Sequence, residues 1–271
     1  MTRLRFQTSE GHLADVTLVM LSKTPRECDW QLLTAGERAR ADRFKFEAGR
    51  TAFVTTRAAL RRRLSEIVGA APDALEIEAD QHGRLLLRAR TPVAIDFNVS
   101  HCHGVAAIAV VRGGRIGVDV EAHTGISDLR DVVPSVMGEN ERALLQNLTD
   151  TDFTRAFFGS WTRKEAIVKA IGVGLSYPVS TIDLPSASAS SVFRIQTAPD
   201  MMWRVFSLEP APSLTLSVAI ADNAQRAATQ PTGAGARSGH IAAKQRLLRS
   251  VVRTVDGLHT ERDVPGSWAV G

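Results

Sequence analysis

Within Gly117-Val118-Asp119-Val120-Glu121 polar and apolar residues alternate one by one, and this period of two is the tightest constraint on what the chain can build. Successive side chains of a strand point to opposite faces. Val118 and Val120 therefore enter a core, while Asp119 and Glu121 emerge together on the other face. Two carboxylates held that close repel each other. A hard divalent cation relieves them, and Mg2+ is typically held by one or two carboxylates plus substrate phosphates. Glu165 follows Glu121 by 44 positions, inside Trp161-Thr162-Arg163-Lys164-Glu165-Ala166-Ile167-Val168-Lys169. That stretch reads as a helix with Glu165 and Lys169 one turn apart on one face. Three acids and an ammonium are the equipment for chemistry at a phosphate.

The chain of 271 residues, 44% hydrophobic and 23% charged, has ordinary globular composition and enough length for one or two domains. Its formal charge of +4 invites a nucleic-acid reading, yet residues 224–271 hold seven basic residues against three acids, which is the whole excess. A body that balances to zero is not built for nucleic acid. Cys28 and Cys102 form neither a zinc pattern nor a disulfide framework. Met1 to Gly11 contains Arg3, Arg5 and Glu10 before any apolar run, unlike a signal peptide. No stretch approaches the ~20 apolar residues of a membrane span. A cytoplasmic protein with no membrane or nucleic-acid partner is expected.

Two halves are expected, residues 1–114 and 115–223, followed by a flexible basic tail over 224–271. The first half carries a helix from about Arg50 to Val68, then strands at Leu75–Glu78 and Leu85–Leu87. The second carries a helix from about Phe153 to Ile171, then strands at Ser191–Thr197 and Trp203–Leu208. Val105–Val111, the turn Arg112-Gly113-Gly114 and Arg115–Glu121 read as a β-hairpin that sets the acids at the seam between halves, a common place for a ligand site. Beyond Asp222 the residues turn to Ala, Gln, Thr, Gly, Pro and Ser, as in a linker.

Three ordered motifs carry a resemblance. Phe97-Asn98-Val99-Ser100-His101, then Ile116-Gly117-Val118-Asp119-Val120-Glu121, then Trp161-Thr162-Arg163-Lys164-Glu165-Ala166 through Lys169, Gly172, Gly174 and Leu175 resemble the 4'-phosphopantetheinyl transferases of the two-half Sfp type. The resemblance spans about Arg38 to Asp222. It implies an α+β pseudo-dimer of two similar halves with the active site at their interface. It also implies transfer of the phosphopantetheine arm of coenzyme A to a serine of an apo acyl or peptidyl carrier protein, with release of 3',5'-ADP. By the same resemblance Asp119, Glu121 and Glu165 are Mg2+ ligands, Glu165 and Lys169 are catalytic, and Arg43, Arg50, Arg84, Ser100 and His101 contact coenzyme A. Gly83-Arg84-Leu85 replaces the family's Gly-Lys-Pro. Glu37 falls where relatives carry a basic group, with Arg38, Arg40 and Arg43 close by as substitutes. Two halves in one chain complete a site without a second subunit, so a monomer is expected. The rival reading is a Mg2+-dependent nuclease or phosphohydrolase. Such nucleases place Glu and Lys two apart on a strand, whereas here the spacing is four in a helical context.

Overall fold

The structure, a computed structural model, describes residues 1–221 apart from 8–10, 12, 23, 90, 103, 124–128, 174–176, 185–189 and 195–201. The basic tail, Gly174 and Leu175 therefore lie outside the described residues.

The strands are β1 (Thr2–Gln7), β2 (Leu13–Met20), β3 (Ile77–Ala79), β4 (Leu85–Leu87), β5 (Ile95–Cys102), β6 (Val105–Arg112), β7 (Arg115–Ala122), β8 (Ser190–Arg194), β9 (Met202–Ala211) and β10 (Leu214–Ala221). The helices are α1 (Glu27–Gln31), α2 (Ala35–Ala41), α3 (Glu47–Val68), α4 (Leu129–Val136), α5 (Glu139–Gln146) and α6 (Asp150–Ile171). Among the described residues no helix is long and apolar enough to cross a membrane. The chain forms two four-stranded antiparallel sheets, ordered β1-β2-β6-β5 and β7-β10-β9-β8, and a small β3-β4 pair. In the first sheet β2 leads through α3 to β5 and β6. In the second, β7 leads through α6 to β9 and β10, with the corresponding strand order.

Strand alternation assembles three apolar layers. Val105, Ala107, Ala109 and Val111 of β6 face Ile116, Val118 and Val120 of β7 and Leu214, Leu216, Val218 and Ile220 of β10, so the two sheets share one core. The opposite face of β6, with Ala106, Ile108 and Val110, packs on Ala59, Leu60 and Leu64 of α3. Phe157, Phe158, Trp161 and Ile167 of α6 cluster with Trp203, Val205, Ala219 and Ala221. Burying each large aliphatic or aromatic side chain contributes about 1.5–3 kcal/mol, so these layers dominate stability. Both long helices stop at a glycine in the left-handed region, Gly69 at φ 78° and Gly172 at φ 86°.

The expected hairpin is not formed. β6 pairs with β2 and β5, while β7 pairs with β10 in the other sheet, and the chain changes sheets at Gly113-Gly114. Side chains bridge the edges of β5 and β7 instead. The backbone N–H groups of Ile116, Val118 and Val120 donate to Asp96 Oδ2 at 2.8 Å, Asn98 Oδ1 at 3.0 Å and Ser100 Oγ at 3.4 Å. Since side chains two apart share a face of β5, three in a row meet three successive outward N–H groups of β7. This polar seam sets the sequence's first and second motifs beside each other.

α6 is anchored at its other flank by a buried pair. Lys164 Nζ binds Glu141 and donates to the Val136 carbonyl at 2.8 Å, and both side chains are almost wholly buried. Glu141 also accepts from the Gly138 N–H at 2.8 Å. The helix is thereby tied to the end of α4 and the start of α5.

Candidate active site

Asp119 and Glu121 project from β7 toward α6, as their alternation requires. Gly117, two residues earlier on that face, is where the helix comes closest. A Cβ there would stand 1.9 Å from the Ala166 carbonyl oxygen and 2.6 Å from the Ala170 nitrogen. With no side chain in the way, α6 lies directly on β7, and Glu165 and Lys169 come down beside the acids.

Three elements meet at one ammonium. Lys169 Nζ donates to Asp119 Oδ1 at 2.6 Å and to Ser100 Oγ at 2.9 Å, and the Ser100 hydroxyl donates to the same Asp119 oxygen at 2.9 Å. Asp119 is 2% exposed and Glu165 5% exposed. Burial pulls the Lys169 ammonium down, but the carboxylates of Asp119, Glu165 and Glu121 more than offset that and hold it above its ordinary value. Glu121 is pushed up to about 8, first by burial and then by the negative charge of Asp119, with Glu165 adding to it. Lys169 and a hydrogen bond from the Trp161 side chain pull the other way. The three acids thus lie in one another's field.

Their donor set is three carboxylates, the hard oxygens a Mg2+ ion takes. Asp119 Oδ2 is buried and has no hydrogen-bond partner among the described residues. Among those residues, however, no three His, Cys, Asp or Glu side chains converge as a metal-binding group. In this arrangement the Lys169 ammonium neutralises Asp119.

The residues expected to contact coenzyme A separate into three kinds. Ser100 is part of the cluster. His101, next to it on β5, is exposed on one side; loss of water around its ring, and then the Lys169 charge, push its imidazole below the ordinary value while Asp119 opposes them. Arg43 lines an open groove with Arg40, Phe44 and Lys45. Arg50 bonds Asp42 at 3.0 Å and lies over the Trp30 ring, 4.8 Å from its centroid. Arg84, expected at a phosphate, is 7% exposed and turned into the protein. Its Nη2 reaches Asp96 Oδ2 at 2.7 Å and the Ile116 carbonyl at 2.9 Å. Glu37 closes a capping box on α2, with the Thr34 N–H donating to it at 2.9 Å, and takes Arg61 at 2.8 Å and Arg57 at 3.4 Å.

Several residues of the site escaped the sequence reading. Trp161, given no role in the sequence beyond its place in the third motif, supplies a donor to Glu121. Thr215 and Ser217 of β10 stand opposite Glu121 and Asp119 in register. Ser217 Oγ lies 2.8 Å from Thr162 Oγ1 and 2.9 Å from Ser207 Oγ, which lays a buried hydroxyl network between α6 and the sheet. The signal was present: two small polar residues, spaced by two like the acids, interrupt an otherwise apolar strand.

Comparison with known proteins agrees with this geometry. Residues 115–221 match the family model described as the 4'-phosphopantetheinyl transferase superfamily. The chain is 32% identical over 190 residues to 4'-phosphopantetheinyl transferase HetI of Nostoc sp., covering 70% of this chain and 78% of that protein. It is 29% identical over 147 residues to 4'-phosphopantetheinyl transferase AcpT of Salmonella typhi, covering 54% and 71%. A phosphopantetheinyl transferase of Thraustochytrium sp. is 27% identical over 153 residues, covering 52% and 53%.

Proposed function

Because the chain belongs to the 4'-phosphopantetheinyl transferase superfamily, we propose that it moves the 4'-phosphopantetheine group of coenzyme A to a serine of an apo acyl or peptidyl carrier protein, releasing 3',5'-ADP. This reading takes the place of the nuclease alternative. The observation that carries it is the meeting of all three motifs at Lys169, whose ammonium bonds Ser100 of the first and Asp119 of the second. The shared strand–helix–strand–strand order of the two sheets supports an Sfp-type pseudo-dimer, with the β5–β7 seam as the interface between halves.

Transfer places negative charge on the phosphoryl group and on the departing bisphosphate, so catalysis is chiefly positioning and electrostatics. Asp119, Glu121 and Glu165 would hold Mg2+. When bound, the ion supplies Lewis-acid polarisation and orients the pyrophosphate. Lys169, protonated well above neutral pH, stabilises the charge of the leaving bisphosphate. Glu165, the acid contributed by α6, accepts the proton of the attacking carrier serine. Ser100 and His101 line the coenzyme A side of the cluster. The carrier serine's oxygen forms the new bond to the β-phosphorus of coenzyme A as the bond from that phosphorus to the bridging oxygen breaks, and 3',5'-ADP leaves. The test is intact-mass measurement of several unrelated apo carriers incubated with the protein, coenzyme A and Mg2+. A phosphopantetheine increment is expected on at least one, and its absence from all would overturn the reading.

The acid cluster also predicts a linkage between pH and metal. In the metal-free folded protein Glu121 keeps its proton up to about pH 8, whereas an unfolded glutamate releases it near 4.5. Between those values the folded state binds more protons, so metal-free stability is highest at the acid end of the window and falls as pH rises. Melting temperatures should decrease from pH 5 to pH 8, by about 2–4 °C for each kcal/mol of linkage. Excess Mg2+ should restore stability most at the alkaline end. A metal-independent melting profile across that range would remove Glu121 from the metal site.

A further inference from the structure

The last carbonyls of an α-helix have no partner within the helix. In α6 the Gly172 N–H returns to the Val168 carbonyl at 3.0 Å, which leaves the Lys169, Ala170 and Ile171 carbonyls to be met from outside. Two arginines meet them. Arg84, immediately before β4, donates from Nη1 to the Lys169 carbonyl. Arg115, the first residue of β7, donates from Nε to the Ala170 carbonyl at 3.3 Å and from Nη2 to the Ile171 carbonyl at 3.1 Å. Cations at a helix C-terminus also oppose the negative end of its dipole.

Arg84 does more than cap. Its Nη2 binds both oxygens of Asp96, at 2.8 and 2.7 Å, and donates to the Ile116 carbonyl at 2.9 Å. Asp96 in turn accepts the Ile116 N–H at 2.8 Å. One guanidinium therefore joins the backbone of Lys169 to the strand that carries Asp119, three residues before that acid, and to the strand that carries Ser100. A terminal helical turn frays when uncapped, and Lys169 lies in that turn.

We propose that Arg84 and Arg115 are positioning residues for phosphopantetheine transfer: they pin the final turn of α6 to β5 and β7 so that the Lys169 ammonium stays aimed at the reacting phosphates. The proposal rests on the role given to Lys169 above. It also accounts for Arg84 being turned inward, with its charge acting through the position of a second cation.

The test is a double-mutant cycle in the full chain. Arg115→Gln leaves no carboxylate stranded. Arg84→Gln is paired with Asp96→Asn, because removing one member of a buried pair alone is strongly destabilising. Each variant is made with and without Lys169→Ala, and kcat and KM for coenzyme A are measured by carrier mass. In the wild-type background each is expected to lower kcat ~10- to 100-fold, the scale of a misplacement of about 1 Å, with KM changed far less. In the Lys169→Ala background the same changes should cost less than ~2-fold, since residues acting through one group are not additive. An equal loss in both backgrounds, or no loss in the wild type, overturns the proposal. Unchanged turnover in Lys169→Ala alone overturns the role of Lys169 and the clamp with it, while modification of the carrier still stands. If the Arg84→Gln/Asp96→Asn variant does not fold, Arg115→Gln decides the question alone.

Discussion

Gly117→Ala is expected to disable the enzyme by a single methyl group placed away from every reacting atom. That methyl would stand 1.9 Å from the Ala166 carbonyl oxygen and 2.6 Å from the Ala170 nitrogen. Both are backbone atoms of α6, so no side chain can rotate aside and the helix itself must lift. Overpacking of this kind typically costs ~1–3 kcal/mol and occasionally more, and rigid backbone on both sides favours the upper end. Glu165 and Lys169 lie on the lifted segment. A displacement near 1 Å lowers turnover by about 100-fold, so activity should fall further than the loss of folded protein explains. Urea unfolding together with kcat on the folded fraction checks this. A variant as stable and active as the parent would show that α6 does not seat on β7 as described.

Glu165→Gln is expected to have the largest effect among substitutions that spare the fold. The amide keeps the shape of the side chain but neither accepts a proton near neutral pH nor offers a full charge to a cation. Loss of a general base typically costs ~100- to 10,000-fold. Because the change acts on the reacting state, kcat should fall while the Kd for coenzyme A moves little. A calorimetric titration with coenzyme A beside the carrier mass assay separates the two. Turnover within a few-fold of the parent would remove Glu165 from the mechanism, and a matched loss of affinity would reassign it to substrate binding.

The central features of the fold were legible where a local period decides the outcome. The strand bearing Asp119 and Glu121, the helix bearing Glu165 and Lys169, and the long first-half helix all lie within a few residues of expectation, because alternation and helical spacing are written in consecutive residues. Strand partnership is not. Gly113-Gly114 marks a reversal of the chain in either topology, and nothing local says that β7 leaves β6 for β10 in another sheet. The fate of the arginines was hidden for a related reason. Arg84 reads as a free cation in sequence, and only the fold brings Asp96 and the end of α6 to it. The pairing of Lys164 with Glu141, likewise, joins positions 23 apart with no pattern to announce it. Residues whose purpose is set by neighbours distant along the chain are the ones sequence reasoning misassigns.

The seam between β5 and β7 has a consequence for how such a protein can change. A backbone ladder aligns two strands whatever their side chains, so point substitutions seldom alter it. Here the alignment is held by a carboxylate, an amide and a hydroxyl, each of which a single codon change can remove or resize. Through Asp96 and Asn98 the spacing between the strand of Ser100 and the strand of Asp119 is thus a heritable variable, adjustable in small increments while both sheets and all proposed reacting groups are retained. A scaffold with that freedom can shift Ser100 against Asp119 without rebuilding either sheet.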